Sequence, residues 1–295
     1  MRVRSAGKIA DRLWYLGREE AGVYVLEGDN SSIIINGGLS FILPDVLQQM
    51  KDLGINTGKI TKLLILHSHF DHVGIVPYFR RTWKIDVLAC ARAWDILGMP
   101  KAVETMNSFN RTAAKQANAA AGLDVFDLDW RDDVSGETVK EGDKIDLGGR
   151  VLQIMETPGH SSCSISAYEP GLKAMFASDA GGIPYKNTSF PSGNSDFTLF
   201  QKNLERLNKF PVDYLCADHY GYVTGEEARR FIGSTIDEAR KLREEMKQIL
   251  GKEQGNLDSA ARACNSLFFQ RSPDYFVSPD IMEGVFKQML KHIAK

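Results

Sequence analysis

LLILHSHFDHVG, residues 63–74, joins a purely aliphatic run to a dense cluster of metal-binding side-chain types. Leu63 to Leu66 suit a short strand buried on both faces. The run stops at His67, Ser68, His69, Phe70, Asp71 and His72. His67 and His69 are two apart, so on an extended backbone they point to the same side. Asp71 and His72 follow a turn that Gly74 loosens, and face a second position nearby. One pair thus serves one metal ion and the other pair a neighbour. The competing reading is a polar loop with incidental histidines. Against it, five of the six histidines fall in three short stretches near predicted strand ends.

Those other stretches complete the constellation. Thr157-Pro158-Gly159-His160 follows the strand VLQIME, with Pro and Gly setting a sharp turn. FASDAGG places Asp179 after the apolar run Ala174 to Ala177. Cys216-Ala217-Asp218-His219-Tyr220-Gly221 ends another strand in a histidine. Strand ends that deliver ligands to one place are how open α/β sheets build sites. Counting assigns His67, His69 and His160 to a first ion and Asp71, His72 and His219 to a second, with Asp179 able to bridge. Such N/O ligation leaves room for a bridging hydroxide and suits two divalent ions, zinc by default, with iron or manganese as alternatives. His292, on a terminal amphipathic helix, reads as a surface residue.

Around the motif the pattern is that of an α/β layer. Residues 12–36 read as strands, in RLWYLG, GVYVLEG and SSIIING, with a turn at Gly28-Asp29-Asn30. A helix is predicted near 44–53, opened by Pro44 and stopped by Gly54. A second helix is expected just after His72, and a strand at 85–89. Residues 91–121 read as helical with a break at Gly98-Met99-Pro100. Their stripe of Ala102, Val103, Met106, Phe109, Ala113, Ala117 and Ala120 either packs a core or walls a pocket. KIDLGGRVLQIME, SCSISAYE and LKAMFAS form an antiparallel meander. Residues 180–196, rich in Gly, Pro, Ser and Asn, have no period and are predicted as a loop. A helix near 196–208 and a strand at 212–218 follow. A Thr224–Glu227 capping box then opens a helix to about 250, and 255–295 is mostly helical. The expected organisation is residues 1–223 as the α/β domain and 224–295 as a helical extension, a lid or a dimer element.

At 295 residues, with 43% apolar and 25% charged, the chain has the composition of an ordinary globular protein. A formal net charge of −2 gives no global attraction to nucleic acid or anionic membrane. No apolar run approaches the ~20 residues of a membrane helix. The start, MRVRSAGKIADRLWYLG, lacks an apolar h-region, so no secretory signal is expected. Cys90, Cys163, Cys216 and Cys264 form no close-spaced pair, which suits reduced thiols in a cytoplasm and small core residues. The expected partner is a small-molecule substrate, with no nucleic acid and no membrane; a homodimer stays open.

HSHFDH, the His160 turn, Asp179 and His219, in this order and spacing, resemble the metallo-β-lactamase superfamily over about residues 12–222. The resemblance implies a four-layer αββα sandwich with a dinuclear metal site at the edge of the two sheets. The full HxHxDH form resembles glyoxalase II, lactonases and related hydrolases. It differs from flavodiiron proteins, which usually carry a glutamate where this chain has His69. The helical tail and the DHVGIVPYF continuation resemble the quinolone-signalling thioesterase group. One departure is Asn36 in IIINGG, where relatives commonly have an aspartate that orients a ligand or the motif backbone from behind. Asparagine keeps the hydrogen bonds but brings no charge.

The chemistry expected of such a centre is hydrolysis of a carboxylic ester-type bond, with a thioester the best single choice. Two divalent ions sharing a water lower its pKa and stabilise the oxyanion that forms. Asp71 or a metal-bound water is the candidate proton donor, beside Asp179 as catalytic ligand, and Tyr220 is a weaker one. Tyr185 and Phe190 are expected as apolar walls, and Phe268, Phe269, Tyr275 and Phe276 as an aromatic lid or as docking contacts for the tail. The rival readings are lactone or β-lactam hydrolysis, an iron-dependent persulfide dioxygenase or oxygen reductase, and a signalling protein with a residual site.

Overall fold

The four aliphatic residues Leu63–Leu66 are fully buried, and the computed structural model, which describes residues 1–293, gives the reason. Strand Ile60–Leu64 lies inside a seven-stranded sheet, paired in parallel with Ser32–Ile35 on one side and Asp86–Cys90 on the other. Parallel neighbours need crossovers, and helices supply them. Leu43–Asp52 makes the first crossover; a short helix at Val76–Tyr78, continued by a wider π turn at Phe79–Trp83, makes the second. The remaining strands of this sheet are Gly7–Ala10, Leu13–Arg18 and Ala21–Glu27 at one end and Glu137–Val139 at the other.

The second sheet also has seven strands. In spatial order they are Arg2–Val3, Tyr222–Thr224, Tyr214–Leu215, Ala174–Phe176, Ile165–Glu169, Val151–Glu156 and Lys144–Asp146. Side chains alternate across its two faces, as a pleated strand requires. Leu152, Ile154, Ala167, Ala174 and Phe176 join the core shared with the first sheet. Met155, Tyr168 and Met175 point the other way, into a second core built with helices Phe197–Leu207, Glu226–Lys252, Leu257–Arg271 and Pro279–Ile293. Helix, sheet, sheet, helix is the resulting order of layers, the αββα sandwich expected.

Several elements depart from the sequence reading. Residues 180–196 contain a hairpin, Ile183–Tyr185 against Thr188–Phe190, whose three-residue strands are too short to show a period. The Thr224–Glu227 capping box does not form. Gly225, at φ 66°, precedes the helix with no side-chain cap, and Glu227 instead pairs with Arg2 and the N-terminal amine at 2.7 and 3.1 Å. The strand predicted over 212–218 pairs only at Tyr214–Leu215, leaving Cys216–His219 free to bend into the site. Two strands precede residue 12, too brief and polar to stand out. The helical stretch 91–121 breaks at Gly98-Met99-Pro100 as expected, into Ala91–Leu97 and Pro100–Gln116, but its helix ends at Gln116 rather than 121. Gly74 serves close approach rather than backbone freedom: a Cβ there would lie 2.6 Å from the Leu39 carbonyl carbon. All four cysteines are buried and unpaired. Among the described residues no helix is long and apolar enough to cross a membrane.

Candidate metal centre

The seven predicted side chains converge. His67, His69 and His160 form one group, Asp71, His72 and His219 a second, and His67, His72 and Asp179 a third that links them. Within each group the ligand atoms lie within 4.8 Å of one another. Asp179 stands between the two triplets. One of its oxygens is 3.3 Å from His160 Nε2 and 3.6 Å from His72 Nε2, and the other is 3.7 Å from His219 Nε2. His292 lies elsewhere, 3.6 Å from Asp196.

Backbone contacts explain the convergence. The Ile165 N–H donates to the Leu66 carbonyl at 2.8 Å, tying the motif strand to the opposite sheet. The Ser68 N–H and hydroxyl meet Cys163 Sγ at 3.4 and 3.2 Å, so the 67–69 segment rests on the loop that carries His160. Asn110 donates to the Phe70 carbonyl at 2.8 Å and accepts from the Ser40 N–H at 2.9 Å, clamping the far side. His219 is held by the turn between the second and third strands of the first sheet: Gly22 N–H donates to the Asp218 carbonyl and Tyr220 N–H to that of Glu19, both at 2.6 Å. Asn36, left-handed at φ 73°, donates its amide to the Gly22 carbonyl at 2.8 Å, while the next N–H, of Gly37, holds the His72 carbonyl. Its contribution is therefore to the backbone around the site, with no hydrogen bond to a ligand side chain.

Most of the imidazoles have one nitrogen fixed from behind. His160 Nδ1 faces the Ser192 carbonyl at 2.7 Å, His219 Nδ1 the Glu20 carbonyl at 2.6 Å, and His72 Nδ1 the Asp218 carboxylate at 3.0 Å. An acceptor there holds the proton on Nδ1 and turns Nε2 inward. Nε2 of His72 and Nε2 of His219 consequently face each other at 3.2 Å inside the cluster. His67 Nε2 is buried with no hydrogen-bond partner. Inward-facing imidazole nitrogens packed this closely, one of them orphaned, are unfavourable alone and are the donor set of a cation site. The residues present fit two divalent ions bound through nitrogen and oxygen.

The same crowding governs protonation. Burial, reinforced by neighbouring imidazoles, holds His67 well below its ordinary pKa and His69 down to about 3. Burial also lowers His160. At His72 burial works the same way, but the carboxylates of Asp71 and Asp179 outweigh it and raise the pKa. Asp179, which burial alone would raise, is held well below the carboxylate range by His219, His160 and His72. Neutral His67, His69 and His160 beside an ionised Asp179 are in the protonation state that metal binding needs, whereas His72 would have to give up a proton to an incoming ion.

Above the centre sits an aromatic cap from the segment joining the last two helices. Phe276 stacks on His219 with ring centres 4.3 Å apart and planes at 28°, and Tyr275 packs on Tyr185, Phe190 and Phe268 at 5.0 to 5.5 Å. Tyr220 supports the cap from below, its hydroxyl accepting from the Phe276 N–H at 3.1 Å. Tyr185 and Phe190 are buried and line a cavity of about 370 Å³ between the hairpin and the helices that carry Met246, Cys264 and Phe268. None of the seven clustered side chains lines that cavity. The apolar faces of the last three helices turn inward, with Ile281 their one exposed large apolar residue among those described. Phe109 is partly exposed and lies 5.3 Å from Phe70, beside Asp71. Ser178 and Asp218 were not singled out by the sequence reading, although each directly precedes a predicted ligand.

An αββα sandwich with a two-centre His/Asp cluster at the sheet ends defines a class: metal-binding proteins of mostly hydrolytic chemistry. The family model for the Metallo-beta-lactamase superfamily matches residues 17–219, and the chain belongs to that superfamily. The metallo-beta-lactamase fold-containing protein ST1585 of Sulfurisphaera tokodaii is 23% identical, covering 80% of this chain and 81% of its own. Its crystal structure superposes with a TM-score of 0.62 over 95% of this chain and 97% of that one, at 18% identity, a likeness of fold alone. The acyl-coenzyme A thioesterase MBLAC2 of Gallus gallus is 24% identical, covering 77% and 82%. The hydroxyacylglutathione hydrolase of Rhodopseudomonas palustris is 26% identical over 55% of this chain and 49% of its own. Members of this superfamily typically hold two divalent metals.

Proposed function

We propose that the chain is a dinuclear metal-dependent hydrolase of carboxylic ester-type bonds, with an acyl thioester as its preferred substrate. His67, His69 and His160 would hold one ion and Asp71, His72 and His219 the other, with Asp179 standing between the two groups. The observation that carries this reading is the pair of inward-facing Nε2 atoms of His72 and His219, 3.2 Å apart with both outer nitrogens committed. When bound, two divalent ions lower the pKa of water and polarise a carbonyl.

The chain's own residues set the substrate class. A thiolate departs without needing a proton, whereas an alkoxide or amine needs an acid. Burial pushes the Tyr220 hydroxyl up to about 12, which makes it a poor acid. Asp71, with 14% of its side chain exposed against 6% for Asp179, is the remaining group placed to carry a proton. One acid of modest reach favours the better leaving group, and the thioesterase among the relatives agrees with that choice. Phe276 and Tyr275 keep bulk water off one side of the cluster and offer an apolar surface to an acyl group.

The test is a panel of acyl-coenzyme A thioesters, acyl-homoserine lactones and nitrocefin, offered to protein loaded with zinc, iron or manganese. Thioester kcat/KM exceeding the others at least tenfold is the expected result. Fast lactone turnover with none on thioesters would overturn the substrate assignment. Failure to bind two ions per chain would overturn the centre itself.

A further inference from the structure

Asp218 is 1% exposed, and among the described residues the only cation-capable side chain within 4 Å of its carboxylate is His72. One oxygen, Oδ2, takes everything: it accepts from His72 Nδ1 at 3.0 Å and from the Ser178 hydroxyl. The other, Oδ1, is buried with no partner. Ser178 in turn lies 3.2 Å from His67 Nδ1. With its own proton given to Asp218, the serine oxygen can only accept, so His67 must carry its proton on Nδ1. The chain of donors runs from His67 through Ser178 to Asp218, and from His72 to the same oxygen. Ser178 adopts φ 48°, a left-handed conformation that costs a side chain energy and here aims the hydroxyl between the two imidazoles.

We propose that Asp218 is the positioning residue of both metal sites, fixing His72 directly and His67 through the Ser178 hydroxyl. The inference rests on the dinuclear reading given above. A lone buried carboxylate is unfavourable unless positive charge compensates it. Hydrogen bonds from imidazoles whose opposite nitrogens face a divalent cation supply that charge at one remove. The same contact locks both rings in the tautomer that leaves Nε2 free, and partners of this kind typically govern metal affinity by about 10- to 100-fold. Because His67 belongs to the first triplet and His72 to the second, one carboxylate couples the geometry of the two.

The discriminating experiment measures zinc stoichiometry and affinity by chelator competition, cobalt(II) spectra, and melting temperatures with and without metal. The proteins are wild type, Asp218→Asn, Asp218→Ala and Ser178→Ala. Asp218→Asn is expected to weaken both ions about tenfold and Asp218→Ala up to about a hundredfold. Ser178→Ala should weaken chiefly the ion held by His67, His69 and His160, leaving the other within twofold. Asp218→Asn should lower the melt of the metal-loaded protein more than that of the metal-free protein, because the ring orientations it fixes matter most when the ions are bound. A residue with a merely structural role would lower both melts alike. If Asp218→Ala does not fold, Ser178→Ala and Asp218→Asn decide the matter. Variants that match wild type in affinity and cobalt spectrum would overturn the positioning role alone. Wild-type protein that binds no divalent ion would overturn the dinuclear reading beneath it as well.

Discussion

Gly74→Ala is expected to damage the centre from outside it. A Cβ at this position would sit 2.6 Å from the Leu39 carbonyl carbon, 2.8 Å from Asn110 Oδ1, and closer still to the Ser40 nitrogen. Two of these are backbone atoms and cannot swing away. Restoring ordinary contact requires one chain to move by about 1 Å, since interiors are close-packed. Both sides are anchored: Gly74 N–H donates to the Gly38 carbonyl at 2.7 Å, and Ser40 N–H to Asn110 at 2.9 Å. Overpacking costs about 1–3 kcal/mol, and one broken buried hydrogen bond adds about 1–3 kcal/mol. The expected loss is therefore roughly 2–6 kcal/mol, a fall in Tm of several degrees at least for a chain of this size. His72 lies two residues away, and ligand sites tolerate only about 0.5 Å of displacement, so zinc affinity should fall with stability. Gly284→Ala is the control. It lies within helix Pro279–Ile293 with nothing within 4 Å of an added Cβ, and should stabilise by up to about 1 kcal/mol. Melting curves and metal stoichiometry on both variants decide it. A Gly74→Ala protein melting within a degree or two of wild type with full metal would refute the close-approach argument.

Three further outcomes follow from the site. Asp179→Ala should reduce bound metal from two ions to at most one tightly held and abolish turnover, read by metal analysis and the thioester assay; two tightly bound ions would contradict its bridging place. Phe276→Ala should cost roughly 1–3 kcal/mol, below the 3–5 typical of a fully buried phenylalanine, and speed metal release to a chelator; an unchanged release rate would mean the cap does not shield His219. Metal-free protein should lose stability as pH falls from 7 to 5. Unfolded histidines bind protons below about 6.5, whereas folded His67 and His69 stay neutral and folded His160 takes up its proton less readily, so acid favours unfolding through all three. His72 acts in the opposite sense, contributing stability below that pH and losing it as pH rises through its raised pKa. Three against one sets the sign, and a metal-free Tm flat between pH 5 and 7 would contradict it.

How far the fold could be read in advance depended on local periodicity. Leu63–Leu66 and Ile33–Ile35 are uniformly aliphatic because both faces of a parallel sheet are covered, and that run survives in the sequence as a signature. The hairpin at Ile183–Tyr185 and Thr188–Phe190 has three residues per strand, too few for a period to register against Pro184 and the polar turn. The Thr224–Glu227 pair carried the right residue types for a cap. The backbone at Gly225 overrode them, and the long-range partner Arg2 could not be foreseen from spacing.

The ligands were legible for a different reason from the groups behind them. A metal site concentrates histidine, a rare residue, at strand exits, and six occurrences in the whole chain make a cluster of three conspicuous. Ser178 and Asp218 are common residue types, and nothing in their spacing marks them, because they meet across 40 positions of sequence. Each does stand immediately before a ligand, at a place where a strand has stopped pairing and the next side chain must turn inward. A polar residue there is buried by the same bend that delivers the ligand, so it has to find a partner inside. The outward nitrogens of the histidines are the nearest partners available. Polar residues flanking a ligand at a buried strand exit are thus constrained by hydrogen-bond accounting as firmly as the ligand is by its metal, and that accounting needs no knowledge of the substrate.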